Sequence, residues 1–206
     1  MIAVIDYGMG NLRSVQAGLN SVNQESFITD DPKKVIEADG VVLPGVGAFA
    51  DAIKRLNDTG LGEAFRKAVE LGKPCIGICL GLQLLFSESE EGGLYKGLDI
   101  VKGRVIRFTN QLKVPHMGWN QLNIRQKDSP LFRDIPEGTY VYFVHSYFVV
   151  PDDSSVIAST TNYGIDFTSV ITKDNLFGTQ FHPEKSQNLG LQILRNFGSL
   201  VKGEIC

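Results

Sequence analysis

Short apolar runs alternate with helical spacings along the first half of the chain. Three runs have the composition of buried strands and cover residues 1–6, 40–43 and 74–79. Apolar residues three or four positions apart predict a helix after the first run, namely Leu12, Val15, Leu19 and Val22. A short strand near 25–28 and a helix near 32–38 complete a βαβαβ order. This order predicts a parallel sheet covered by helices.

The second half of the chain predicts shorter, mixed strands and a closing helix. Strand candidates lie between 102 and 123 and at 140–144, 156–160, 168–172 and 176–180. The closing helix is predicted over Gln187–Val201. At 206 residues, with no repeat or linker, the chain 1–206 is expected to form a single domain.

A strand-turn-helix with a cysteine at its corner is predicted at 74–86. The segment Gly77-Ile78-Cys79-Leu80-Gly81 joins the apolar run to a helix predicted through Phe86. Glycines permit a sharp turn, and a cysteine at a helix N-terminus favours the thiolate. Because buried cysteines commonly fill space only, this segment alone leaves a nucleophile and a packing residue equally open.

Two further segments end predicted strands and point to the same edge of the sheet. The glycine-rich turn 44–49 follows one strand, and His182-Pro183-Glu184 follows another. A histidine can activate a cysteine, and a carboxylate two residues away can orient its ring. A surface His-Pro turn with a solvated Glu184 is the alternative for the isolated motif. The three segments together favour a cysteine-dependent active site.

Composition excludes several other classes of protein. A net charge of −3 offers no basic surface for nucleic acid or an anionic membrane. No apolar run reaches about 18 residues and the N-terminus lacks a signal-peptide pattern, so a cytoplasmic location is expected. Cys75, Cys79 and Cys206 fit neither a disulfide framework nor a metal site, and Cys206 is assigned no role. A dinucleotide fingerprint after the first strand fails because its third glycine would fall on Arg13. We therefore expect no metal and no cofactor.

Several segments resemble the signatures of class I, triad-type glutamine amidotransferases. The two general signatures are 77–83 and Phe181-His182-Pro183-Glu184. More narrowly, the chain resembles the glutaminase subunits of imidazole glycerol phosphate synthase in five segments: 6–12, 44–47, 115–120, 142–147 and 182–186. The resemblance extends from Asp6 to the closing helix. It implies an α/β fold with a doubly wound, mixed, mainly parallel sheet and helices on both faces.

The resemblance also implies a role for each matched residue. Cys79 would attack the side-chain amide of L-glutamine, His182 would protonate the departing nitrogen, and Glu184 would hold His182. Oxyanion donors are expected at Leu80, Val46 and Gly47. Contacts with the substrate are expected from Gly45, Gln83, His145 and Ser146. The product would be glutamate, released through a thioester.

A partner is implied because ammonia released into water would be protonated and lost as a nucleophile. The resemblance implies a heterodimer with a cyclase subunit, which would use the ammonia to make imidazole glycerol phosphate and aminoimidazole carboxamide ribotide in histidine biosynthesis. Trp119, Asn120 and Lys185 are the expected interface residues, although a Trp-Asn pair is more commonly a core aromatic with a turn residue. His116 is expected to be structural or interfacial. The acidic run 88–91 is expected to be a solvated helix end.

Three alternatives stay open at this point. A glutaminase subunit could serve another synthase, such as that of anthranilate or pyridoxal phosphate, although the segment 115–120 argues against this. A non-catalytic relative could use the fold only to bind a partner, which the intact Cys79, His182 and Glu184 disfavour. A cysteine hydrolase could act on a different acyl compound.

Overall fold

A computed structural model describes residues 1–108 and 113–205, so Cys206 lies outside the described residues. The strands are β1 (Ile2–Ile5), β2 (Ser26–Thr29), β3 (Gly40–Gly45), β4 (Cys75–Cys79), β5 (Phe86–Ser89), β6 (Tyr95–Lys96), β7 (Val101–Arg107), β8 (His116–Gln121), β9 (Asn123–Ile124), β10 (Tyr140–His145), β11 (Tyr147–Pro151), β12 (Ile157–Asn162), β13 (Asp166–Lys173) and β14 (Leu176–Thr179). The helices are α1 (Leu12–Ser21), α2 (Pro32–Glu37), α3 (Phe49–Asp58), α4 (Leu61–Glu70), α5 (Leu80–Leu84) and α6 (Gln187–Val201).

Most of these strands belong to one mixed sheet. Its main path runs β2-β1-β3-β4-β14-β13-β11-β7-β5-β6 within the described residues, while β12 and β9 extend from β13. The pairs from β2 to β14 are parallel, and the pairs from β14 to β7 are antiparallel. β8 and β10 form a separate antiparallel ribbon. Because β3, β4 and β14 are parallel neighbours, their carboxyl ends meet at one edge, as predicted.

Apolar residues of the central strands alternate between two cores, one on each face of the sheet. In β3, Val42 contributes to the core that includes Leu19 of α1 and Leu194 of α6. Its neighbour Leu43 contributes to the core that contains Phe65 of α4 on the other face. Side chains of a strand alternate in direction, so a strand buried on both faces needs an almost continuous apolar run. The predicted doubly wound architecture with helices on both faces is confirmed.

Two expectations about the segment after Cys79 are wrong. The predicted helix through Phe86 ends at Leu84, and Phe86 begins β5. The acidic run 88–91 is not a helix end, because Glu88 lies in β5 and pairs with Arg104 of β7. Parallel pairing with β7 therefore overrides the helical spacing of this segment. No helix among the described residues has the length and apolarity needed to cross a membrane.

Candidate active site

Cys79 occupies a strained corner between β4 and α5. Its backbone angles are φ 56° and ψ −110°, in a region that residues with a side chain rarely adopt. α5 begins at the next residue, Leu80. Strain of this kind persists only where the surrounding structure enforces it, and it is concentrated at functional sites. The corner lifts Cys79 out of the strand direction and places it at the N-terminus of α5.

The two glycines that flank Cys79 permit this corner because they have no side chain. A Cβ atom on Gly77 would lie 2.6 Å from the carbonyl oxygen of Gly81. A Cβ on Gly81 would overlap the carbonyl oxygen of Leu43 in β3. The Gly-x-Cys-x-Gly spacing thus lets the start of α5 pack directly on β3 and β4. The sharp turn predicted from the sequence is present.

His182 and Glu184 form a buried pair beside Cys79. Nδ1 of His182 lies 2.8 Å from Oε1 of Glu184, and the side chains are 3% and 0% exposed. Burial opposes a charged imidazole, but hydrogen bonds and charge interactions with Cys79 and Glu184 outweigh it and raise the pKa of His182 to about 9. The arrangement therefore favours an imidazolium next to the cysteine.

A cavity of about 450 Å³ opens above Cys79 and collects most of the residues predicted for the site. Its wall consists of Val46, Gly47, Cys79, Leu80, Gln83, Glu91, Pro115, Val144, His145, Ser146, Tyr147 and His182. Gly45 is absent from this wall because it is buried in β3, where a Cβ would lie 2.8 Å from the nitrogen of Gly81. Within residues 1–108 and 113–205, no group of three or more His, Cys, Asp and Glu side chains has a metal-binding arrangement.

Backbone N–H groups are available on two sides of the cavity. Leu80 is the first residue of α5, so its N–H has no acceptor within the helix. Val46 and Gly47 follow β3 and are exposed. The start of their turn is fixed, because the buried hydroxyl of Tyr7 donates to the carbonyl of Pro44 at 3.0 Å. Leu80, Val46 and Gly47 line the same cavity as Cys79.

Gln83 lines the cavity, but its amide nitrogen is already engaged. Nε2 of Gln83 donates to the carbonyl of Tyr147 at 3.0 Å and to Oε1 of Gln180 at 3.2 Å. An amide nitrogen carries two hydrogens, and both are used here. Only the oxygen of Gln83 is left to meet a ligand.

Two residues of the site were missed in the sequence. Glu91 lines the cavity, and its Oε2 accepts from the N–H of Phe49 at the start of α3, 2.9 Å away. Gln180 is fully buried, with Nε2 3.9 Å from Sγ of Cys79. Glu91 was not recognised because it belongs to the acidic run 88–91, which was expected to be a solvated helix end. It reaches the site only because β5 pairs with β7. A signal for Gln180 existed, since it precedes His182 by two residues at the end of β14.

A chain of hydrogen bonds fixes the orientation of the His145 ring. Its Nδ1 donates to the carbonyl of Tyr147 at 2.8 Å, and its Nε2 lies 3.0 Å from Nδ1 of His116. Nε2 of His116 in turn lies 3.3 Å from Nδ2 of Asn120. His116 is therefore a buried structural residue behind the cavity. Asn120, expected at an interface, uses its amide within the chain, with Nδ2 also donating to the carbonyl of Asn162 at 2.8 Å.

Trp119 and Lys185 lie outside the cavity on adjoining segments. Trp119 is 46% exposed and pairs with Tyr142 across the β8–β10 ribbon. The N–H of Tyr142 donates to Oγ of Ser186 at 2.9 Å, and the exposed Lys185 directly precedes that serine. Trp119 is thus a surface residue rather than a core aromatic.

Comparisons with known proteins cover nearly the whole chain. The family model "Glutamine amidotransferase class-I" matches residues 3–200. "Imidazole glycerol phosphate synthase subunit HisH" of Syntrophotalea carbinolica is 55% identical, over 97% of this chain and 100% of that protein. Subunits of the same name from Moorella thermoacetica and Methanosarcina acetivorans are 55% and 53% identical, over 98% and 95% of this chain and 95% and 96% of those proteins.

Solved structures show the same fold at low sequence identity. The crystal structure of a glutamine amidotransferase superposes with a TM-score of 0.76 at 16% identity, covering 98% of this chain and 100% of that one. PurLQS of Thermotoga maritima gives a TM-score of 0.70 at 17% identity, covering 98% and 97%. The chain belongs to the class-I glutamine amidotransferase family and, within it, to the HisH subunits of imidazole glycerol phosphate synthase.

Proposed function

We propose that this chain hydrolyses L-glutamine to glutamate and ammonia and delivers the ammonia to a cyclase subunit. The observation that carries the proposal is that Cys79, at a strained corner, lines one cavity together with His182, whose ring is held by the buried Glu184. A nucleophile, a proton donor and an orienting carboxylate are the groups that acyl transfer through a thioester requires. Family membership at above 50% identity supports glutamine as the acyl donor.

Chemistry begins with the Cys79 thiolate beside a protonated His182. The sulfur attacks the side-chain amide carbon of glutamine, and the carbonyl oxygen gains the negative charge. Backbone N–H groups of Leu80 and of the Val46–Gly47 turn would stabilise this oxyanion. His182 gives its proton to the departing nitrogen, so ammonia leaves and a thioester remains. Water, deprotonated by the now neutral His182, then releases glutamate.

The α-ammonium and α-carboxylate groups of glutamine require opposite contacts, and the cavity provides acceptors for the ammonium group. Glu91 offers a carboxylate on the wall, and Gln83 offers its amide oxygen because both hydrogens of its nitrogen are engaged. Backbone groups at His145 and Ser146 also line the cavity and would bind the α-carboxylate. Gly45 would act indirectly, by letting the oxyanion turn lie close to α5.

The ammonia must pass from this cavity into a partner without contact with water. Partner contacts are proposed at Trp119 and Lys185, which lie on adjoining exposed segments. Asn120 would support that surface from within, because its side chain links His116 to the carbonyl of Asn162. The name of the relatives supports a cyclase subunit of imidazole glycerol phosphate synthase as the partner. Since the reaction requires a reduced thiol, we place it in the cytoplasm.

A reconstituted complex tests the proposal. Glutamate release from glutamine is measured for the wild type and for Cys79→Ala, each with the cyclase subunit and with and without the cyclase's substrate. We expect Cys79→Ala to lose at least about 1,000-fold in rate. Cys75→Ala is the matched control, because Cys75 is buried in the same strand and burial raises its pKa to about 12. Unchanged glutamate release from Cys79→Ala would reject the enzyme and favour a binding-only relative.

Covalent labelling separates glutamine from other acyl substrates. A glutamine-mimicking electrophile should modify Cys79 and leave Cys75 unmodified, and excess glutamine should protect Cys79. Labelling that glutamine does not slow would favour a hydrolase with another substrate. A hydrolysis rate that is the same with and without the cyclase and its substrate would contradict regulated delivery of ammonia.

A further inference from the structure

Gln180 places a buried amide directly against the sulfur of Cys79. The residue follows β14, and its backbone N–H donates to the carbonyl of Ser169 at 2.9 Å. Its side chain has no exposed surface, and its Nε2 lies 3.9 Å from Sγ of Cys79. Burying a polar amide without hydrogen-bond partners costs free energy, so the groups around Gln180 determine how its amide is oriented.

The hydrogen-bond network decides which end of the Gln180 amide faces the sulfur. Gln83 directs Nε2 at the oxygen of Gln180, across 3.2 Å, and at the carbonyl of Tyr147, across 3.0 Å. Rotating the Gln180 amide by half a turn would set its nitrogen against the nitrogen of Gln83 and its oxygen against the sulfur. The nitrogen–nitrogen contact would then be repulsive, and so would the contact between the oxygen and a thiolate. The N–H group of Gln180 therefore faces Cys79.

Sγ of Cys79 contacts the carbonyl of Val144 and the amide of Gln180, and only the contact with the amide stabilises a thiolate. In the neutral thiol, the S–H group can donate to the carbonyl of Val144, 3.9 Å from Sγ. Once the proton is lost, that carbonyl faces a negative sulfur and no longer stabilises it. The N–H of Gln180 is a donor, and its attraction for the sulfur increases with the negative charge.

We infer that Gln180 is a thiolate-stabilising residue of this site, oriented by Gln83. The inference rests on the proposed role of Cys79 as nucleophile. It adds to the His182–Glu184 pair a neutral donor whose effect does not depend on its own protonation. Gln83 acts as a positioning residue in this arrangement, because its amide fixes the orientation of Gln180.

The pH dependence of cysteine alkylation tests this inference without glutamine. Full-length Gln180→Met and Gln180→Glu are made in a Cys206→Ser background, and iodoacetamide modification of Cys79 is followed by peptide mass spectrometry across pH. Removing the donor in Gln180→Met should raise the alkylation midpoint by about one pH unit, which slows modification about tenfold below the midpoint. Gln180→Glu adds a carboxylate near the sulfur and should raise the midpoint further.

Two controls make the result specific. Gln192→Met makes the same change on α6 and should leave the midpoint unchanged. Cys75 reports the fold, because it is buried and should stay unmodified in every folded variant. If Gln180→Met does not fold, Gln83→Met replaces it, and a smaller shift in the same direction is expected.

Turnover in the complex with the cyclase provides the second measurement. Gln180→Met should lower kcat about tenfold with KM nearly unchanged, because the buried amide contacts the nucleophile and does not line the cavity. A midpoint and kcat equal to the wild type would overturn the role of Gln180. The nucleophile is tested separately: an active Cys79→Ala enzyme would reject the proposed function, whereas an inactive one beside an unaltered Gln180→Met would reject this inference alone.

Discussion

Nδ1 of His116 lies 3.0 Å from Nε2 of His145, and this contact fixes the protonation of both rings. Nδ1 of His145 faces the carbonyl of Tyr147, so that nitrogen carries the proton. Nε2 of His145 must then accept the Nδ1–H of His116. Nε2 of His116 accepts in turn from Asn120. Both rings are neutral, and the chain of donors and acceptors has no place for an extra proton.

Acid should therefore destabilise the fold through this histidine pair. Burial lowers the pKa of His116 to about 4 and that of His145 to about 3, against an ordinary value of 6.5. Between pH 6.5 and about 4 the unfolded chain binds more protons than the folded one. The free energy of unfolding should then fall with falling pH, by up to about 1.4 kcal/mol per pH unit for each histidine. Urea unfolding at pH 7, 6 and 5 measures this slope.

His116→Asn serves as the test variant for the acid effect, because it removes one of the two titrating rings. The loss of stability between pH 7 and pH 5 should be smaller in this variant, even if the variant is less stable at pH 7. A slope equal to that of the wild type would show that the pair does not control acid stability.

Replacing Glu184 by Gln should move the alkaline limit of activity. Oε1 of Glu184 accepts from Nδ1 of His182, and Oε2 has no partner among the described residues, so a glutamine can keep the contact. The carboxylate charge is lost, which lowers the pKa of His182 from about 9. Wild-type glutamate release should decline above about pH 9, as His182 loses its proton, and Glu184→Gln should decline at lower pH. We also expect a loss of about 100-fold in kcat.

A pH–rate profile of glutamate release in the complex measures both effects. Glu88→Gln is the control, because it removes a carboxylate of β5 that the site does not use. Glu184→Gln with full activity and an unmoved alkaline limit would mean that the carboxylate does not set the protonation of His182.

The sequence was sufficient to predict those parts of the site that are formed by residues close together in the chain. The corner at Cys79 needs glycines two positions away on either side, and the pair at His182 and Glu184 lies within one turn. Constraints between residues so close in the chain produce a residue spacing that can be recognised in the sequence. For the same reason, the strand and helix order of the central sheet followed from its apolar runs.

Features of the site that depend on contacts between distant segments left no such spacing. Glu91 reaches it because β5 pairs with β7, which converts a predicted helix end into a strand followed by a turn. Gln180 gains its orientation from Gln83, which lies 97 positions earlier in the chain. Neither relationship follows from propensity or periodicity, since tertiary contacts decide both.

Gly81→Ala should disrupt the corner at Cys79 through a direct clash. The added Cβ would overlap the carbonyl oxygen of Leu43, which belongs to the buried strand β3 and has little room to move. We expect a loss of at least about 3 kcal/mol in the free energy of unfolding, or of folding altogether. Any folded fraction should also lose glutamate release, because the start of α5 would move away from β3. Chemical unfolding and turnover are measured together.

Gly72→Ala separates this clash from backbone strain. Gly72 has φ +75°, but a Cβ there meets no atom within 4 Å, so only the left-handed backbone is penalised. That penalty is about 1 kcal/mol. Equal losses in the two variants would show that close packing of α5 on β3 is not what requires Gly81.

Trp119→Ala should weaken the complex with the cyclase. Trp119 is 46% exposed on the β8–β10 ribbon, next to Met117, which is 64% exposed. Large aromatic residues at interfaces commonly contribute at least about 2 kcal/mol, so the dissociation constant should rise about 30-fold. Leu94→Ala is the matched control, because Leu94 is 71% exposed and precedes β6, which does not belong to the ribbon. Titration calorimetry with the cyclase subunit measures both variants, and equal affinities for Trp119→Ala, Leu94→Ala and the wild type would place the interface elsewhere.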